Sequence, residues 1–132
     1  MMAKKKPTVS GCLEAVDNLI KAQCGLAFVQ FLSNEERLKQ THQEGIHYYD
    51  VRGALGTTRG AAEMASRHMT EDLSHKALLI SKSAGSLARK YDGLHKKKDM
   101  PNLRNKVSGM MKKLDQLIDD TKSSCTRKTP KR

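Results

Sequence analysis

Residues 61–92 read AAEMASRHMTEDLSHKALLISKSAGSLARKYD, and this stretch decides the fold class. Within it Ala62, Ser66, Met69, Leu73, Ala77, Ile80, Ala84, Leu87 and Tyr91 recur at steps of three and four, and Leu94 continues the series. Such steps line one face of an α-helix. Leu73, Ile80, Leu87 and Leu94 are seven apart, and small residues alternate with the large ones, which lets a neighbouring helix come close. The spacing predicts one long helix over about 61–92, softened at Gly85 and ended by Asp92-Gly93.

Working outward, Pro101 suits the first turn of a further helix, where its missing amide proton is not needed. Leu103, Val107, Met110, Leu114 and Leu117 then follow at steps of four and three, predicting a helix over about 101–121. This coiled-coil-like seam lasts a little over two heptads, too short to stand as an autonomous coiled coil. Upstream, Leu13, Val16, Ile20, Cys24, Ala27 and Phe31 trace a stripe that predicts a helix from Val9 to Leu32, widened by Leu19, Phe28 and Leu32. Ser33-Asn34-Glu35-Glu36 has the pattern of a capping box, so a second helix over about 35–52, or a kink in one long helix, is expected, with a sparse stripe of Leu38, Ile46 and Tyr49. Gly53, Gly56 and Gly60 crowd the next eight positions and mark a turn, or a close approach of two helices.

The chain has 132 residues, the length of one domain, yet only 37% are hydrophobic and 4% aromatic. A core built from so few large side chains is thin, which favours packed amphipathic helices over an enzyme with a deep pocket. The expected fold is all-α: an antiparallel bundle of three to four helices over 9–121, a basic flexible N-terminus over 1–8 and a basic flexible tail over 122–132. Cys12, Cys24 and Cys125 are odd in number and lack a C-x-x-C spacing. Cys12 and Cys24 are therefore expected as small buried residues, Cys125 as exposed and free, and a reducing compartment as the setting. The longest uncharged run, Ala22 to Asn34, covers 13 residues, too short to span a bilayer. A cytoplasmic location is expected, with a nuclear one left open.

Charge is unevenly spread. Residues 1–50 are neutral overall, 51–92 carry +3 and 93–132 carry +8 of the net +11. In that last third Lys96, Lys97, Lys98, Arg104, Lys106, Lys112, Lys113, Arg127, Lys128, Lys131 and Arg132 form clusters that would attract a polyanion through counterion release. No aromatic residue follows Tyr91, so platforms for stacking unpaired bases are missing there. A solvated surface with a solubilising tail is the plain alternative.

Other constellations are weaker. His68, Asp72 and His75 lie at i, i+4 and i+7, a spacing that could place metal ligands on one helix face, with His42 or His47 completing a site. Polar residues flanking a buried stripe explain them more simply, and no metal or other cofactor is assigned. The segment 53–60 lacks the Gly-Lys-Ser/Thr ending of a phosphate-binding loop. No catalytic residue is assigned and no enzyme is expected. Lys76, Ser83 and Lys90 border the long stripe and would discriminate between partners if that stripe met another chain.

The first expectation is a non-enzymatic helical interaction protein, a subunit or adaptor of an assembly. Its seams would be Leu73, Ile80, Leu87, Leu103, Val107, Met110, Leu114 and Leu117, facing a protein partner or a second copy. The alternative is nucleic-acid binding by the basic last third on a helical, dimeric scaffold.

Overall fold

The computed structural model describes residues 9–33, 45–46, 48–90, 95–96 and 100–126. Among the described residues four helices make the fold: α1 (Val9–Leu32), α2 (Tyr48–Ser66), α3 (Glu71–Lys90) and α4 (Met100–Thr126). They form an antiparallel bundle in which α1 packs on α2 and α4, and α2 packs on α3, while α3 and α4 meet only lightly. The two-residue strands β1 (Gly45–Ile46) and β2 (His95–Lys96) pair antiparallel, Gly45 opposite Lys96 and Ile46 opposite His95, just before α2 and just before α4. No helix among the described residues is long and apolar enough to cross a membrane.

The face α1 turns inward is not the expected one. Cys12, Ala15, Val16, Leu19, Ala22, Leu26, Val29 and Leu32 are buried, whereas Leu13, Ile20, Cys24, Ala27 and Phe31 point out. Because α1 is apolar nearly all round, two series with helical spacing coexist in it, and periodicity cannot choose between them. Close packing can. The inward series carries the small residues Ala15, Ala22 and Gly25, which let α2 approach to near backbone contact. A Cβ placed on Gly25 would lie 2.7 Å from the Ala54 carbonyl oxygen and against the Thr58 hydroxyl. Thr58 Oγ1 lies 2.9 Å from the Ala22 carbonyl oxygen of α1 and 3.3 Å from the Ala54 carbonyl oxygen of its own helix, and it donates to these acceptors.

The glycines at 53, 56 and 60 sit within α2 rather than in a turn. Each costs about 1 kcal/mol of helix propensity against alanine. Packing of Val51, Ala54, Leu55, Thr58, Ala61, Ala62 and Ala65 against the bundle offsets that cost. The close approach of helices expected in this segment is present, made by Ala54 and Thr58 of α2 against Gly25 of α1 rather than by the three glycines themselves.

The long helix expected over 61–92 is two helices, α2 and α3, divided at 67–70. The last turn of α2 tightens, with Arg67 N donating to Met64 O at 3.2 Å and His68 N to Ala65 O at 3.0 Å. Thr70 stands at the N-cap position of α3, and the first helical bond runs from Ser74 N to Thr70 O at 2.7 Å. Glu71 and Asp72 in the first turn and Arg89 and Lys90 in the last suit the helix dipole. Met69 is buried within the turn, so the apolar spacing continues across the break. That continuity disguises two helices as one.

α4 begins at Met100 with Pro101 in its first turn, as expected, but it runs on to Thr126 rather than stopping near 121. Thr121 and Cys125 extend its buried line beyond Leu117 and Ile118. Cys125 is bonded to Cys12 across a sequence separation of 113, with a Cα–Cα distance of 5.7 Å that is ordinary for a disulfide. The expected roles of the cysteines are thereby corrected: Cys125 is buried and paired, and Cys24 is the exposed free thiol. Spacing along the chain could not reveal a pair made by the two ends of antiparallel helices. The argument for a reducing compartment, which rested on unpaired cysteines, loses its ground.

Ser33 follows the last residue of α1, its hydroxyl donating to Gln30 O at 3.3 Å. The rest of the expected capping box, most of the helix expected over 35–52, and Asp92-Gly93 lie outside the described residues.

Candidate interaction surface

The outward face of α1 presents Leu13 at 58%, Ile20 at 44%, Phe28 at 48% and Phe31 at 57% exposure. The two phenyl rings stack on each other with centroids 6.3 Å apart. Leu13, Asp17, Ile20, Cys24, Ala27 and Phe31 are all exposed and follow one another at alternating steps of four and three, the spacing of a helix–helix seam. The charged residues of this helix are Glu14, Asp17 and Lys21. An apolar line of this length on an outer face is unusual for a monomer.

A second apolar surface opens where α3 and α4 diverge. Two adjoining hollows, of about 340 and about 510 Å³, share Leu79, Ser83, Met110 and Lys113 and together make one groove. Ile80, Leu87 and Leu117 contribute to its walls, and Lys76, Lys82 and Lys106 to its rim, with Asp120 at one end. Leu79 is half exposed there.

The seam residues read from the sequence lie mainly inside the chain. Leu103, Val107, Leu114 and Leu117 are fully or almost fully buried, Ile80, Leu87 and Met110 nearly so, and Leu73 packs partly buried against the core. Ile80, Leu87, Met110 and Leu117 also border the groove.

Of the basic clusters, Lys106, Lys112 and Lys113 are exposed on α4 and Arg104 is half-buried. Lys96 lies in β2, while Lys97, Lys98, Arg127, Lys128, Lys131 and Arg132 are outside the described residues. The structure adds Lys76 and Lys82 to the lysines of α4 across the groove. Sequence clustering missed this grouping because it joins two helices, although Lys76 and Ser83 had been marked as bordering the stripe.

Among the described residues His68 and His75 do not assemble a metal site with their neighbours. His68 Nε2 lies 3.8 Å from Glu14 Oε1 and forms an ion pair when protonated, while Asp72 and His75 are exposed. Among the described residues no group of three His, Cys, Asp or Glu side chains is placed to hold a metal, and His42 and His47 lie outside them.

A third hollow, of about 390 Å³, lies between α2 and α3 and is lined by Arg52, Leu55, Gly56, Arg59, Gly85, Ala88 and Arg89. Nothing in the residue spacing singles it out, because its arginines are far apart in the chain and come together only where α2 packs on α3. No known family matches the chain, and neither a curated protein nor a solved structure is similar to it.

Proposed function

We propose that the chain is a non-enzymatic helical interaction protein, a subunit or adaptor of a protein assembly, and that it self-associates through the outer face of α1. The observation that carries this reading is the exposure of Leu13, Ile20, Phe28 and Phe31 along one helix. Removing such side chains from water is worth about 25 cal/mol per Å² of apolar area, the general driving force of association. α1 is also a suitable place for two copies of a chain carrying +11 to meet, since it holds Glu14 and Asp17 against Lys21 alone. Antiparallel pairing would set Leu13 against Phe31 and Asp17 against Ala27, whereas parallel pairing would oppose Asp17 to itself. The buried seams of α3 and α4 support this surface from within as core.

Light scattering at low and high salt tests the reading. The expected mass is about twice the 14.7 kDa of one chain, returning to the single-chain value in Ile20→Asp with helicity unchanged. A native chain of single-chain mass throughout would sink it. Ile80→Asp is a poorer probe, since Ile80 is nearly buried and its replacement would unfold the bundle.

Exposure of Lys106, Lys112 and Lys113 on α4 favours a second reading, nucleic-acid binding through the basic last third. Absorbance at 260 and 280 nm in the same experiment addresses it. Nucleic acid that co-purifies at low salt and leaves at high salt supports this reading, and affinity should fall when Lys112 and Lys113 are neutralised. Binding indifferent to salt counts against a phosphate mechanism.

A further inference from the structure

We propose that the hollow between α2 and α3 is a binding site for a small phosphate-bearing anion. Arg52 and Arg59 reach it from α2 and Arg89 from α3, and no carboxylate is among its lining residues. Among the described residues none of these three guanidinium groups has an ion-pair partner. All three arginines are exposed and charged, and they bring positive charge to one hollow from two helices, where an anion can meet it. The guanidinium fork matches phosphate oxygens in pairs, which a lysine cluster does not.

Gly85 forms part of the lining of the hollow. Gly85 is buried on α3, and a Cβ built on it would sit 3.3 Å from Arg59 Cδ and 3.9 Å from Arg89 Nη1. The Arg59 stem thus passes over a residue that has no side chain and takes up the space where one would begin. Ser81 Oγ donates to the Arg59 carbonyl oxygen at 3.0 Å and holds α3 against α2 beside it. Leu55 and Ala88 give an apolar wall that suits a compact carbon body attached to the phosphate. At about 390 Å³ the hollow is within the usual range for small-ligand sites. It belongs to the α2–α3 side, so it is distinct from the α1 face and from the lysines of α4.

Calorimetric titration of the full chain with inorganic pyrophosphate and with inositol hexakisphosphate tests the proposal, with sulfate as the ionic-strength control. Saturable binding of one anion per chain is expected. Arg59→Gln should weaken it about tenfold or more, the loss of a charge-assisted hydrogen bond, with partial recovery in Arg59→Lys. Gly56→Leu separates binding from folding. Nothing lies within 4 Å of a Cβ at Gly56, so this variant keeps the fold, gains helix propensity and fills the mouth of the hollow. It should abolish binding while thermal unfolding is unchanged or raised. Lys112→Gln with Lys113→Gln should leave binding unaltered.

Two results would overturn the proposal. One is the absence of saturable binding to the native chain, or binding that survives Gly56→Leu and fails with the lysine pair, which would make the effect general attraction to the basic last third. The other is a short DNA duplex that binds with the same dependence on Arg59 and Gly56 and displaces the small anions. That would assign the arginines to a nucleic-acid backbone.

Discussion

α1 and its neighbours differ sharply from the pair α3 and α4. On one side α1 meets α2 through Gly25, Ala54 and Thr58 with almost no side chain between the backbones, and on the other it is bonded to α4 through Cys12 and Cys125. The Gln23 amide adds a bond to the Asp115 carboxylate of α4. α3 and α4 have comparable stripes yet stand apart, leaving Leu79 half exposed in a groove rimmed by lysines. Apolar periodicity is present in both cases. What separates them is the size of the facing residues and the charge beside them: glycine, alanine and threonine draw α1 and α2 together, while Lys76, Lys82, Lys106 and Lys113 ring the α3–α4 groove and disfavour closure.

If α1 is the anchored element, cutting its bond to α4 should have the largest effect. In the chain-entropy account, a link across 113 residues stabilises by about 5 kcal/mol. Denaturant unfolding with and without reductant should show a loss near that size, and thiol titration of the native chain should find Cys24 reactive, with Cys12 and Cys125 appearing only after reduction. Equal stability in both conditions would break the comparison at its strongest point.

Paired leucine truncations sharpen it. Leu26→Ala, at a fully buried position of α1, should cost about 3 kcal/mol, and Leu79→Ala on the groove less than about 0.5 kcal/mol. Similar losses at the two sites would mean that the groove closes in solution. The smallest contrast is between two adjacent threonines. Thr58→Val removes the hydroxyl that bridges α1 and α2 and should cost about 1 kcal/mol. Thr57 is exposed and bonds only within its own helix, to Gly53 O, so Thr57→Val should leave the unfolding midpoint almost unmoved.

The helical class, the antiparallel bundle and the course of α1 were legible because helical periodicity is strong even in a chain with few aromatics. The inner face of α1 was legible only at Val16, Leu19 and Leu32, since Leu13, Ile20, Cys24, Ala27 and Phe31 follow helical steps as regularly as Ala15, Leu19, Ala22, Leu26 and Val29 do. Only the tolerance of close approach at Ala22 and Gly25 separates the two faces, and that is a property of the pair α1–α2. The break at Thr70 carried a readable signal, an N-cap threonine followed by Glu71 and Asp72, which the unbroken apolar series outweighed. The disulfide and the arginine hollow had no linear signal at all. Each joins residues from separate helices, and the glycine-bearing α2 had to be recognised as helix before Arg52 and Arg59 could be placed beside Arg89.

The bond between Cys12 and Cys125 also turns nearly the whole covalent chain into a closed ring, with all four helices strung along it. A protease that cuts between α1 and α2, or between α3 and α4, therefore opens the ring without freeing a fragment. The nicked protein keeps its mass until it meets a reductant, and only then can the pieces part. A single cleavage in this architecture is a stored event, executed later by a change in redox conditions.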